Sequence, residues 1–293
     1  MSPQAPDAGD PTRPRVVVVS GETDGMGRSL ALARAERGDT VVVLGSNPAK
    51  GERLLTDAAR LGAGDRIDFL QVDLAGIDET RAAVRWIAKR HAAVDALTLF
   101  ANRQSPTRAL TPDGLERVFA LYYVSRYLLS HELGPLLRQS ATPVIVNVAG
   151  VGVRKGRIHW DDLQLEHGHG MVTAQLQAGR ANDLLGVAFA AQPDNPVRYV
   201  LYHPGFTRSG DLTVLPAAAR LAVGALARIA ARSVDASVAP VHRFIDTPPD
   251  APLTAVDRHK VLPLTLPTLD PDQAARLDRV TRSLLDEHSG RTG

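Results

Sequence analysis

Arg15-Val16-Val17-Val18-Val19-Ser20 runs directly into Gly21-Glu22-Thr23-Asp24-Gly25-Met26-Gly27, and a helix is expected from about Arg28. A β-branched run with no polar interruption belongs to a strand buried on both faces, and such a strand needs helices above and below it. The glycines at the junction let a ligand approach the backbone closely. The helix that follows offers free N–H groups and the positive end of its dipole. That combination suits a dinucleotide phosphate. A tight strand–helix turn with no ligand is the alternative, because a glycine pattern alone is weak evidence.

The same alternation continues along the chain. A helix over Ser29–Arg37, stopped by Gly38, precedes a buried strand over Thr40–Leu44. Pro48 starts a helix over Ala49–Leu61. Ile67–Val72 reads as a third strand, Asp78–His91 as an amphipathic helix and Asp95–Ala101 as a fourth strand. A long helix is expected over Asp113–Leu137, then a strand over Pro143–Val148, a helix over Thr173–Ala191 and a sixth strand over Val197–His203. Apolar strands alternating with crossover helices predict an α/β fold, a doubly wound Rossmann arrangement with a parallel sheet. Met1–Pro14, rich in Pro, Asp and Gly, reads as a disordered leader. Residues 15–293 read as a single domain. It would carry a substrate-covering insertion at about 210–235, including an Ala/Leu-rich helical lid over Pro216–Ala231, and a C-terminal helix from Asp270-Pro271 to about His288.

Composition narrows the function classes. The 293 residues carry a net charge of only +2 and no dense basic run beside aromatics, so nucleic acid is not an expected partner. There is no cysteine, which removes disulfides, thiolate metal sites and cysteine nucleophiles. No apolar run approaches the roughly 20 residues of a membrane span, and a cytoplasmic location is expected. His167 and His169 have the spacing of a metal pair but no third ligand, so no metal is expected. No Gly-x-Ser-x-Gly elbow is present.

The end of the second strand bears on cofactor choice. An NAD site places Asp or Glu there to accept from the ribose 2′-hydroxyl. Here the chain reads Leu44-Gly45-Ser46-Asn47-Pro48-Ala49-Lys50. Ser46 and Asn47 can donate to a 2′-phosphate, and Arg28 or Lys50 can neutralise it, which favours NADP(H). Asp73, before Leu74, can accept from an adenine amino group or cap the next helix.

Taken together, these residues resemble the short-chain dehydrogenase/reductase family over about Pro14–Gly210. The matching pieces are the loop Ser20–Gly27, the pair Asp73-Leu74, Phe100-Ala101-Asn102 at the Asn-Ala-Gly position, Ala181–Leu185 on the catalytic helix, and His203-Pro204-Gly205-Phe206-Thr207. The resemblance implies an NADP(H) site formed by Gly21, Thr23, Asp24, Gly25, Met26, Gly27, Arg28, Ser46, Asn47, Asp73, Leu74, Ala101, Asn102, Pro204, Gly205 and Thr207. It also implies that family members are often oligomers, so a homo-oligomer is a possible partner state.

The departures concern the Asn-Ser-Tyr-Lys tetrad of that family. Its positions fall on Tyr122, Gly150, Gln175 and Gly179, and no tyrosine lies between Tyr127 and Tyr199. In this the chain is similar to the tetrad-less ketoreductases of aromatic polyketide biosynthesis, above all the simocyclinone-type angucyclinone 7-ketoreductases. That resemblance implies NADPH-dependent reduction of a carbonyl on a polycyclic aromatic substrate, with Tyr122, Gly150, His159, Gln175 and Phe206 as candidate substrate contacts. Gln175 donates a hydrogen bond but cannot release a proton. A phenol on the substrate beside its own carbonyl can, and well-oriented intramolecular transfer is worth roughly 7–11 kcal/mol. Other donors lie nearby in sequence. Tyr122 and Tyr123 read as core or wall residues, and His203 as a hydrogen-bonded structural histidine. A non-catalytic NADP-binding regulatory protein is the alternative reading, and a cofactor-independent cyclase or dehydratase is a third.

Overall fold

The computed structural model describes residues 14–21, 25–205 and 233–292. Eight strands form one sheet in the order β3-β2-β1-β4-β5-β6-β7-β8. They are β1 Val16–Ser20, β2 Thr40–Gly45, β3 Ile67–Gln71, β4 Ala96–Leu99, β5 Val144–Val148, β6 Arg198–His203, β7 Leu253–Asp257 and β8 Lys260–Val261. All neighbours are parallel except β7 and β8, which pair antiparallel. The order reverses between β1 and β4, which opens a crevice at the carboxyl ends of those two strands. This is the doubly wound arrangement the alternation predicts.

The helices are α1 Met26–Glu36, α2 Pro48–Arg60, α3 Ile77–Arg90, α4 (Arg117–Phe119, a π turn Ala120–Val124, and Ser125–Glu132), α5 Gly134–Leu137, α6 Met171–Ala190, α7 Val234–Asp246 and α8 Pro271–Thr292. Side chains alternate across each strand and build two cores. Val18, Leu97, Leu99, Ile145, Tyr199 and Leu201 face α3, α4, α6 and α8. Val17, Val19, Val144, Val146, Val200 and Tyr202 face α1, α2 and α7. At roughly 25 cal/mol per Å² of apolar surface, two such layers supply most of the stabilisation.

The helix expected over Asp113–Leu137 is corrected in three respects. It begins at Arg117, not Asp113, because Gly114 adopts φ +81° in a turn. Asp113 instead accepts from the N–H of Ile77 at 3.0 Å, and Glu116 caps α4 through the N–H groups of Val118 and Phe119. The helix also contains a π turn at Ala120–Val124 and breaks between Glu132 and Gly134. β7, β8 and α7 were not expected. The lid over Pro216–Ala231 lies outside the described residues, as does the leader up to residue 13.

Candidate active site

The crevice begins at Gly21, which has φ +82°. A Cβ there would stand 2.4 Å from the backbone nitrogen of Ala101, so only glycine lets the β1 turn pass against the end of β4. Gly25 caps α1 with φ 71°, and the first turn of α1 carries no acid. Its N-terminal N–H groups face the crevice at the positive end of the dipole. Gly27 is buried and Met26 half-buried in the first turn. This cradle fits a dinucleotide phosphate. Thr23 and Asp24 lie outside the described residues, as do Phe206 and Thr207.

The groups at the end of β2 are more committed than their sequence suggests. Arg28 is ion-paired with Asp57 on α2, which holds the Asp57 carboxyl below its usual range. Asn47 caps α2, its Oδ1 accepting from the N–H of Lys50 at 3.1 Å, and this leaves its amide N–H₂ for a ligand. Ser46 and Asn47 are exposed at the end of β2, while Leu74 is buried. Asp73 accepts from the N–H of Ala75 at 3.0 Å and from Arg117 at 2.6 Å. It holds a turn and the start of α4 together.

Beyond the end of β4, Asn102 and Gln175 form a reciprocal amide pair. Asn102 donates to Gln175 at 3.2 Å, and Gln175 donates back at 3.1 Å and to the carbonyl of Arg103 at 3.3 Å. The pair spans from the end of β4 to the first turn of α6. Gly179 follows one turn later, and a Cβ there would meet no atom within 4 Å. Tyr122 is buried in the π turn, with the Arg126 guanidinium 4.6 Å from its ring centre. Burial raises its hydroxyl above the ordinary phenol range, and the hydroxyl is directed at the backbone of Gly150. Tyr122 thus forms a buried wall. Tyr123 is tied to Thr281 on α8 at 2.7 Å.

The backbone N–H of His159 donates to Gln177 at 2.9 Å, and the Trp160 ring is covered by Arg276 at 4.1 Å. His169 lies 3.6 Å from Glu116 and His167 3.8 Å from Asp162. Among the described residues no group of three His, Asp or Glu is placed to hold a metal. Likewise, among the described residues, no helix is long and apolar enough to cross a membrane.

Three features were not anticipated. Arg126 is fully buried and donates to the side chain of Asn147, to the carbonyl of Val148 at 3.0 Å and to the carbonyl of Ala101 at 2.9 Å. It ties the ends of β4 and β5 under the crevice, and burial lowers its pKa to about 10. The signal was an arginine inside the apolar run Tyr122–Leu129. Asn147 in turn donates to Asn182 at 3.0 Å and Tyr199 at 2.9 Å, and Asn182 donates to the carbonyl of Tyr122 at 2.7 Å.

Asp183, also buried, accepts from the N–H of Gly152 at 3.2 Å and lies 3.9 Å from Arg180, while its other oxygen has no partner. Burial pushes its pKa up to about 7. The third feature is the His203–Asp257 contact at the ends of β6 and β7, 2.9 Å long. Nothing in the sequence marks Asp257, because the strand that brings it there has no motif of its own.

Sheet order, glycine cradle and crevice define a dinucleotide-binding oxidoreductase fold. The family model for "short chain dehydrogenase" matches residues 15–161, and the chain belongs to that family. It is 29% identical over 271 residues to "Putative daunorubicin C-13 ketoreductase DnrU" of Streptomyces sp. (strain C5), covering 90% of each chain. It is 30% identical over 159 residues to human polyprenol dehydrogenase, covering 53% of this chain and spanning about half (48%) of that relative. Among solved structures, an uncharacterized protein from Mycobacterium paratuberculosis superposes with a TM-score of 0.68 at 21% identity, covering 92% of both chains. A short chain dehydrogenase-type protein of Escherichia coli CFT073, complexed with NADPH, superposes with a TM-score of 0.63 at 19% identity, covering 87% of this chain and all of that one. These two likenesses concern the fold.

Proposed function

We propose that this protein is an NADPH-dependent ketoreductase that reduces a carbonyl of a polycyclic aromatic, angucyclinone-like natural product, with the proton supplied by the substrate itself. The observation behind this reading is the Asn102–Gln175 amide pair at the mouth of the crevice. Gln175 stands where the family resemblance places the acid and has no proton to release; both its amide hydrogens are engaged, and Asn102 keeps one amide N–H for a ligand. The cradle at Gly21 and Gly25 suits the pyrophosphate, and Ser46 and the Asn47 amide suit a 2′-phosphate. NADPH, when bound there, supplies hydride. The ketoreductase name of the Streptomyces relative, matched over nine-tenths of both chains, and the NADPH held by the Escherichia coli neighbour support the same direction.

The chain's own residues then orient and exclude water. The amide pair positions the carbonyl oxygen as negative charge develops on it. A phenol already hydrogen-bonded to that oxygen is at reacting distance. The buried wall of Tyr122 and Ala149 keeps the far side dry.

The test is NADPH oxidation, followed at 340 nm with product mass, across phenol-bearing polycyclic ketones and their O-methyl ethers. Oxidation with a gain of two hydrogens, slowed strongly by methylation, is expected. Equal rates for phenol and ether reject the substrate-borne proton. Tight NADPH binding with no turnover on any ketone rejects the reductase in favour of a regulatory NADP-binding protein.

A further inference from the structure

Strands β6 and β7 end in register on a histidine and an aspartate, His203 opposite Asp257. His203 Nδ1 and Asp257 Oδ1 are 2.9 Å apart, with the two side chains 32% and 40% exposed. Alternation along both strands places them with Tyr199, Leu201 and Ala255, on the sheet face that α6 covers. The N–H of Ala149 donates to the carbonyl of Tyr202 at 3.0 Å, so the end of β5 runs beside His203. Adjacent strands are about 5 Å apart, so the imidazole rises next to Ala149–Gly150 and about 10 Å from the end of β4, where Asn102 meets Gln175. One fused aromatic ring with its carbonyl spans that gap.

Among the described residues, the charged groups against the imidazole come from the β7–β8 turn. Asp257 faces it directly. Arg258 donates its N–H to the carbonyl of His203 at 2.6 Å, and its side chain packs over Gly205. On the β5 side, Ala149 and Gly150 carry no charge. A carboxylate on Nδ1 selects the tautomer with Nδ1–H and leaves Nε2 as the exchanging nitrogen. The partial exposure of the ring gives it access to solvent protons.

We propose that His203, held by Asp257, is the proton-transfer residue of this cleft, its Nε2 returning to the substrate the proton that the substrate's own hydroxyl gives up during reduction. This rests on the ketoreductase reading above. As the substrate carbonyl is reduced, its C=O electron pair moves to oxygen. The neighbouring O–H bond breaks, and its proton forms the new alcohol O–H. The phenolate left behind takes the Nε2 proton of the imidazolium. The neutral imidazole keeps Nδ1–H on Asp257 and recovers one proton from water, so each turnover consumes one solvent proton.

Two readouts test this. The first is the ¹⁵N–¹H spectrum of the histidine rings, with His203 assigned through His203→Gln, titrated with NADP⁺ and a peri-hydroxyanthraquinone. The Nδ1–H tautomer is expected at high pH, and the His203 signals should shift and titrate higher when the hydroxyquinone is bound. His203 signals that stay put while the Gln175 side-chain amide moves overturn the proposal. If neither moves, the ketoreductase reading fails and the proposal falls with it. The second is turnover of a hydroxylated polycyclic ketone by His203→Gln and Asp257→Asn, each first shown to bind NADPH like the parent. A loss of about 10²-fold in kcat is expected for His203→Gln, with KM within threefold and the fall in kcat above the histidine range abolished. Unchanged kcat in His203→Gln overturns the assignment.

Discussion

Asp183 makes the stability of this protein depend on pH in a direction opposite to that of most carboxylates. Its side chain is 1% exposed, and one oxygen has no partner. Burial carries its pKa from an ordinary 3.8 to about 7, against smaller opposing contributions from the Gly152 N–H and Arg180. The folded state therefore holds a proton that the unfolded chain releases above about pH 4. Folding takes up that proton between pH 4 and 7, so stability falls as pH rises through this window and levels off above it. At about 1.4 kcal/mol per unit, the full shift corresponds to roughly 4 kcal/mol, of which roughly 2–3 kcal/mol is lost between pH 5 and 8. Asp183→Asn keeps the shape of the protonated acid and cannot ionise. Urea unfolding of the parent and the variant at pH 5, 6, 7 and 8 is the assay. The variant should gain on the parent by about 2–3 kcal/mol across that range. Parallel pH profiles would refute the claim that Asp183 enters the folded core as a neutral acid.

Further outcomes follow from the same contacts. Gly21→Ala forces a Cβ to 2.4 Å from Ala101 at φ +82°, so NADPH binding by fluorescence titration should disappear and unfolding should show a loss of about 2 kcal/mol or more. Arg126→Met leaves Ala101, Val148 and Asn147 without their buried donor, a loss of about 3–5 kcal/mol in urea unfolding; a change below 1 kcal/mol would mean that the strand ends do not depend on it. Asp57→Asn releases Arg28 from its ion pair, so NADPH should bind up to about fivefold tighter while NADH affinity stays unchanged in calorimetry.

The repeated strand–helix units were legible because burial leaves a local trace. A parallel strand buried on both faces must be apolar at consecutive positions, and Val16–Val19, Val41–Leu44 and Val144–Val146 are. The glycine turn was legible for a related reason, since a Cβ at Gly21 would stand 2.4 Å from the backbone nitrogen of Ala101 and only glycine fits there. The start of α4 was misread because Asp113 resembles a cap. Whether it caps α4 or reaches α3 depends on where Ile77 sits, and that is a tertiary fact. Arg28 was read as a charge open to a ligand, and the sequence could not show that Asp57 pairs with it.

Sequence alone pointed to the family, the doubly wound sheet and the glycine turn between the first strand and the first helix. These are local properties: period, turn geometry and residue type over a few positions. Tertiary structure alone decided the pairings that set charge. It paired His203 with Asp257 across 54 residues, buried Arg126 among the ends of two strands, and left an oxygen of Asp183 without a partner. The physical reason is that a proton's affinity depends on desolvation and on neighbours within a few ångströms, and neither is encoded at the residue that carries the proton.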